Sequence, residues 1–150
     1  MSHTFLMEAG RWTLQGNWLE RNSSPVVVKG KTLVGWSRDN WFTMVTKLIF
    51  PGSDREEMSF QYRGRLALGD RQYTFVLQHS HLGRVEGEGW LAQDSIVQRF
   101  WVLGDRQQRR SGFETLYRVD GNTYHLTSGM MAGHFLISTM EAVLERQPES

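Results

Sequence analysis

The sequence predicts an all-β protein of about ten short strands, an antiparallel up-and-down barrel or a sandwich by its pattern; a single barrel is preferred, with residues 1–150 as one domain. Three observations carry this. Apolar and polar residues alternate with a period of two along most of the chain, the mark of strands with one dry and one wet face. The alternating runs are short and evenly spaced, and clusters of Gly, Asn, Asp, Ser and Pro separate them. The composition fits many tight turns, with Gly 15 against Pro 3, and 150 residues can bury a real core.

Thr4–Ala9 precedes the first strand and is compatible with one or two helical turns, with Phe5 and Leu6 as its apolar side. The strand Gly10–Trp18 puts Trp12, Leu14, Gly16 and Trp18 on one face, against Arg11, Thr13, Gln15 and Asn17. Arg21–Pro25 is turn chemistry. In Val26–Trp36 the face Val26, Val28, Gly30, Thr32, Val34 and Trp36 opposes Lys29 and Lys31. Ser37–Asn40 turns into Trp41–Phe50, where Phe42, Met44, Thr46, Leu48 and Phe50 share a face and both faces are largely apolar. After the Pro51–Asp54 loop, Met58–Leu68 alternates most cleanly, with Met58, Phe60, Tyr62, Gly64, Leu66 and Leu68 against Ser59, Gln61, Arg63, Arg65 and Ala67.

Gly69-Asp70 leads into Gln72–His79. Leu82–Ala92 follows with Val85, Gly87, Gly89 and Leu91 on one face; paired inner glycines suit a sharp curve or a close approach by a ligand. Ser95–Leu103, Ser111–Val119 and Asn122–Met130 come next. Gly104-Asp105 and Asp120-Gly121 divide them, and the second pair is a hairpin signal. The last segment carries two signals. Ser138-Thr139-Met140-Glu141 matches a helix capping box over Ser138–Arg146, while His134, Leu136, Ser138, Met140, Ala142 and Leu144 form a strand face. Strand is preferred, because a barrel must close its last strand on its first and an open edge beside Trp12 invites aggregation.

Gly10-Arg11-Trp12 resembles the Gly-x-Trp that opens many calycin barrels, the superfamily of lipocalins, fatty-acid-binding proteins and their relatives. A narrower likeness is to the nitrobindin and fatty-acid-binding-protein-like group. Gly10, Trp12 and Gly16 keep part of that group's opening strand. Tyr117-Arg118-Val119-Asp120-Gly121-Asn122-Thr123, followed by Gly129-Met130-Met131-Ala132, is similar to its end. The resemblance implies a barrel with a ligand inside and, in the nitrobindin branch, haem iron held by a His of the final strand. Here Met140 takes that position, and a lone thioether is a poor substitute for imidazole. His134 shares the face but sits about 2 nm away at roughly 3.3 Å per residue. The Arg-x-Tyr with which fatty-acid-binding proteins hold a carboxylate has no match in the final strand.

Composition excludes several classes. Lys+Arg 17 against Asp+Glu 16, with no long basic run, lacks the footprint of a nucleic-acid binder. Cys 0 rules out disulfides and thiolate metal sites. Met1–Gly10 lacks a signal-peptide pattern and no apolar run is long enough to span a membrane, so a cytoplasmic protein is expected. His79-Ser80-His81 could share a metal, but reads as exposed turn histidines without a third ligand; His125 and His134 are lone. Arg99 is read as a surface Arg on a neighbouring aromatic, and Arg118 as outward because Glu114 shares its face. Glu86 and Glu88 read as wet surface and Asp105–Arg110 as a solvated loop. No triad, metal set or isolated carboxylate on an apolar face supports catalysis.

In a ten-stranded barrel the interior is too wide for side chains alone to fill. The expected function is therefore an intracellular carrier or sensor of a small hydrophobic or amphipathic molecule. The expected ligand-binding residues are Trp12, Trp18, Met44, Phe60, Tyr62, Phe100, Phe113, Tyr117, His134 and Met140. A haem or other tetrapyrrole barrel and an enzyme using the cavity are the alternatives; a homodimer is left open.

Overall fold

The structure is a computed structural model and describes residues 3–67 and 69–148. Among them, ten strands and no helix form one closed antiparallel barrel. The strands are β1 (Gly10–Glu20), β2 (Val26–Trp36), β3 (Trp41–Ile49), β4 (Met58–Arg65), β5 (Gln72–His79), β6 (Gly83–Leu91), β7 (Ser95–Val102), β8 (Arg110–Asp120), β9 (Thr123–Ala132) and β10 (Phe135–Arg146). Each pairs with the next in sequence, and β10 returns to β1 with Trp12 opposite Arg146 and Glu20 opposite Ser138. Leu68, read from the sequence as the end of the fourth strand, lies outside the described residues.

Closure decides the last segment. β10 runs from Phe135 to Arg146, with a bulge between Leu136 and Ser138, and the capping-box residues lie within it, because from Ser138 on, ladders to β1 and β9 pair the strand on both sides where a helix would leave two open edges. The hairpin expected at Asp120-Gly121 turns over Gly121-Asn122, and Asn122 N–H donates to Asp120 Oδ1 at 2.8 Å.

A second device is steric. Inside the barrel, rings lie across glycines of the neighbouring strand: Phe42 over Gly64, Phe75 over Gly87, Tyr73 over Gly89 and Phe100 over Gly112. A Cβ on Gly89 would sit 2.1 Å from Tyr73 Cζ, and one on Gly87 2.3 Å from Phe75 Cζ. The paired glycines of β6 thus make room for rings of the protein itself, not for a ligand.

The N-terminal segment stoppers one end. A single bond from Glu8 N–H to Thr4 O marks one turn, and Leu6, at φ 68°, stops it from becoming a helix. Phe5 and Leu6 are buried, with Phe5 edge-on to Trp12 at 5.2 Å. His3 Nε2–H donates to Ala92 O and Tyr124 O–H donates to His3 Nδ1, both at 2.7 Å. Trp36 Nε1–H caps Leu6 O at 2.7 Å. The opposite end, framed by Trp18, Phe60 and Met130, is the mouth.

Candidate ligand cavity

Between stopper and mouth lies a cavity of about 90 Å³. At roughly 10–15 Å³ of cavity volume per water, it holds several waters or a molecule of about the width of an alkyl chain. The wall is mostly apolar. Leu14, Met44, Leu48, Met58, Leu77, Phe100, Leu116, Leu126 and Met140 line it, all projected inward by the two-residue period of their strands.

Of the residues expected from sequence, Trp18, Met44, Phe60, Tyr62, Phe100 and Met140 line this space. The other four do not. Trp12 is fully buried, but its ring is held by Phe5 and Tyr124 in the stoppered end. Phe113 and Tyr117 point outward, 43% and 57% exposed, because β8 turns Gly112, Glu114 and Leu116 to the inside. His134 is exposed in the turn between β9 and β10.

That reversal of β8 brings in the residue that pattern reading missed. Glu114, taken as a sign of a wet face, lines the cavity. Burial raises its carboxyl from 4.5 to about 7, partly offset by the hydroxyl of Tyr62. Tyr62 donates to Glu114 Oε1 at 3.5 Å, the long limit of a hydrogen bond. The chain therefore does hold an isolated carboxylate on an apolar face. Of the other polar groups of the wall, Thr32 Oγ1 bonds Thr46 Oγ1 at 2.8 Å, and Gln98 Oε1 accepts from the Tyr73 hydroxyl behind it at 2.6 Å. Burial, and then Glu114, holds the Tyr62 hydroxyl well above its ordinary range.

Arg118 is corrected with Glu114. Its side chain is 8% exposed and pairs with Asp94 at 3.1 Å rather than facing solvent. Arg99 does face outward, its guanidinium 5.6 Å from the Trp101 ring. Glu86 and Glu88 lie opposite the inward Val85, Gly87 and Gly89.

The two histidines of His79-Ser80-His81 separate. His81 is exposed, whereas His79 is buried at the mouth against Phe60, with ring centroids 4.6 Å apart. Its Nδ1 accepts the backbone N–H of His81 at 3.0 Å and of Leu82 at 3.1 Å. Backbone amides only donate, so the neutral ring carries its proton on Nε2. Burial, then His81 and Arg110, lowers its pKa to about 4. Above the mouth, Arg55 lies over Trp18 at 4.7 Å and Phe50 at 5.1 Å and pairs with Glu20.

This donor set does not fit haem. The lining histidine, His79, presents N–H instead of a lone pair, His125 and His134 are on the exterior, and the sulfur donors of the wall are thioethers (Met44, Met58, Met130 and Met140), poor substitutes for imidazole. A flat macrocycle also exceeds the present space. No group of three or more His, Asp or Glu among the described residues could hold a metal ion, and no helix among them is long and apolar enough to cross a membrane.

No family model matches the sequence, and no curated protein matches it. Solved structures do match the fold. Rv2717c from M. tuberculosis superposes with a TM-score of 0.73 at 17% identity, over 93% of this chain and 92% of that one. The S-type phycobiliprotein lyase CPES from Guillardia theta gives 0.66 at 10% identity, over 95% and 90%. The molecule is thus a closed ten-stranded antiparallel β-barrel, similar to these proteins in fold.

Proposed function

We propose that this chain is a binding protein, a carrier or sensor, that holds one small and mainly apolar molecule in the barrel. The observation that supports it most is the cavity itself: an apolar interior that the chain's own rings leave partly unfilled, stoppered at one end and entered at the other. Apolar ligand surface moved from water into it gains roughly 25 cal/mol per Å². The narrower likeness to the nitrobindin and fatty-acid-binding-protein-like group rests on the opening and closing sequence segments. Its haem branch draws no support from the donors present, so the carrier reading stands first. A cytoplasmic location belongs to the same proposal, and the absence of cysteine is compatible with it.

The test is native mass spectrometry of gently purified protein, joined to titration with an uncharged solvatochromic dye. The expected result is one site. Tyr62→Arg abolishes it while the β-type circular dichroism persists, since the longer side chain fills the cavity and reaches Glu114. Undiminished dye binding by that variant places the dye elsewhere and defeats the proposal.

Glu114 also favours a second reading, an enzyme using the same cavity, because a carboxyl with a pKa near 7 suits general acid–base work. A retained molecule whose mass changes on incubation with the wild type, and not with Glu114→Gln, would move this reading ahead.

A further inference from the structure

We infer that the ligand is an amphipathic amine, an apolar body with one protonated nitrogen that meets the Glu114 carboxylate. The inference rests on the cavity reading and names the chemistry of its polar contact. Glu114 projects from the middle of β8 into the cavity, between Gly112 toward the mouth and Leu116 toward the stopper. Among the described residues no cation is paired with it. Among the described residues the lysine and arginine ion pairs are Lys47–Glu57, Arg55–Glu20, Arg110–Asp105, Arg118–Asp94 and Arg146–Glu8.

The neutral donors of the wall do not answer it either. The Thr32 and Thr46 hydroxyls bond each other, and the Tyr73 hydroxyl is spent on Gln98. Among the described residues only the long contact from Tyr62 reaches the carboxylate. An ionised carboxylate accepts about four hydrogen bonds, and a buried one without partners is costly. An ammonium group supplies three donors and the opposite charge, while the surrounding apolar wall takes the rest of the molecule. A fatty acid is the wrong complement, since its carboxylate would enter beside a like charge.

Three probes that differ only in head group test this: hexylamine, hexanol and hexanoate, titrated calorimetrically at pH 8 into the wild type and into Glu114→Gln. In the wild type, hexylamine binds at least about tenfold tighter than hexanoate, a difference of about 1.4 kcal/mol. In Glu114→Gln that preference disappears, while hexanol, which also serves as a check on the fold, binds both proteins alike. Should the variant fail to fold, the wild-type order decides. Hexanoate or hexanol binding the wild type as tightly as hexylamine overturns the amine assignment and leaves the cavity reading standing. No binding of any probe to the wild type overturns both.

Discussion

Glu114 and His79 titrate in opposite senses, and their effects on stability oppose each other. Glu114 moves from 4.5 up to about 7 on folding. Between those values the unfolded chain has released a proton that the fold retains, so stability falls as pH rises through the window. His79 moves from 6.5 down to about 4. Its contribution is fully present above pH 6.5 and is lost as pH falls toward 4, because the unfolded chain takes up a proton that the fold refuses. Each effect is on the order of 3 kcal/mol. From pH 4.5 to 6.5 they nearly cancel, so these two groups leave the wild-type profile almost flat. Glu114→Gln uncovers the histidine alone, and urea unfolding should show stability climbing by about 2–3 kcal/mol across that range. His79→Gln should show the reverse slope. A Glu114→Gln profile as flat as the wild type would mean that the fold does not retain the Glu114 proton through this range.

The residue scale is also where the sequence was least legible. In β8 the outer set Phe113, Thr115, Tyr117 and Val119 is more apolar than the inner set Gly112, Glu114 and Leu116. Alternation alone therefore assigns the faces backwards. The signal that identifies Glu114 is register: Ile96, Gln98 and Phe100 of β7 pair with Leu116, Glu114 and Gly112, and cross-strand partners share a face. A pairing across strands is not a local pattern, and β7 itself did not declare which of its faces was inward.

At the scale of the element the reading was far better, because strands depend on alternation and turns that lie close together in sequence. All ten strands fall where period-two runs are bounded by turn residues. The final strand is the instructive case, since its local helix signal yields to pairing with β1, the most distant strand in sequence. Glycine inside these strands has a physical use that the sequence only hinted at, namely space for a neighbour's ring. Gly89→Ala should cost about 1–3 kcal/mol, because the new Cβ must displace Tyr73 from its bond to Gln98. Gly121→Ala, with open space around its Cβ, should stay within about 0.5 kcal/mol of the wild type. Equal losses in chemical denaturation would mean that backbone entropy and not ring packing governs both positions.

At the scale of the whole molecule the barrel is a vessel with one way in. The N-terminal segment seals the far end through His3, Phe5 and Leu6, and the mouth carries the Arg55 guanidinium stacked on Trp18 and Phe50. His3→Ala removes both imidazole bonds of the stopper and should lower stability by about 1–3 kcal/mol. Amide exchange should quicken first in the segment before β1, ahead of the barrel ladders. Protection there equal to the wild type would show that the apolar contacts of Phe5 and Leu6 suffice to hold the seal.

The stopper has a consequence for the order of events during synthesis. His3 finds Ala92 89 residues later in the chain and Tyr124 121 residues later. The segment before β1 leaves the ribosome ahead of the barrel it stoppers and is thus among the last parts to settle, since neither β6 nor β9 exists when it emerges. Until β9 has been made, the segment has no Tyr124 to hold it, and β1 waits still longer for β10. Growing chains halted before Thr123 should expose the N-terminal segment to proteases, and chains released after Arg146 should protect it. The vessel is sealed only once the strands that hold its stopper have arrived.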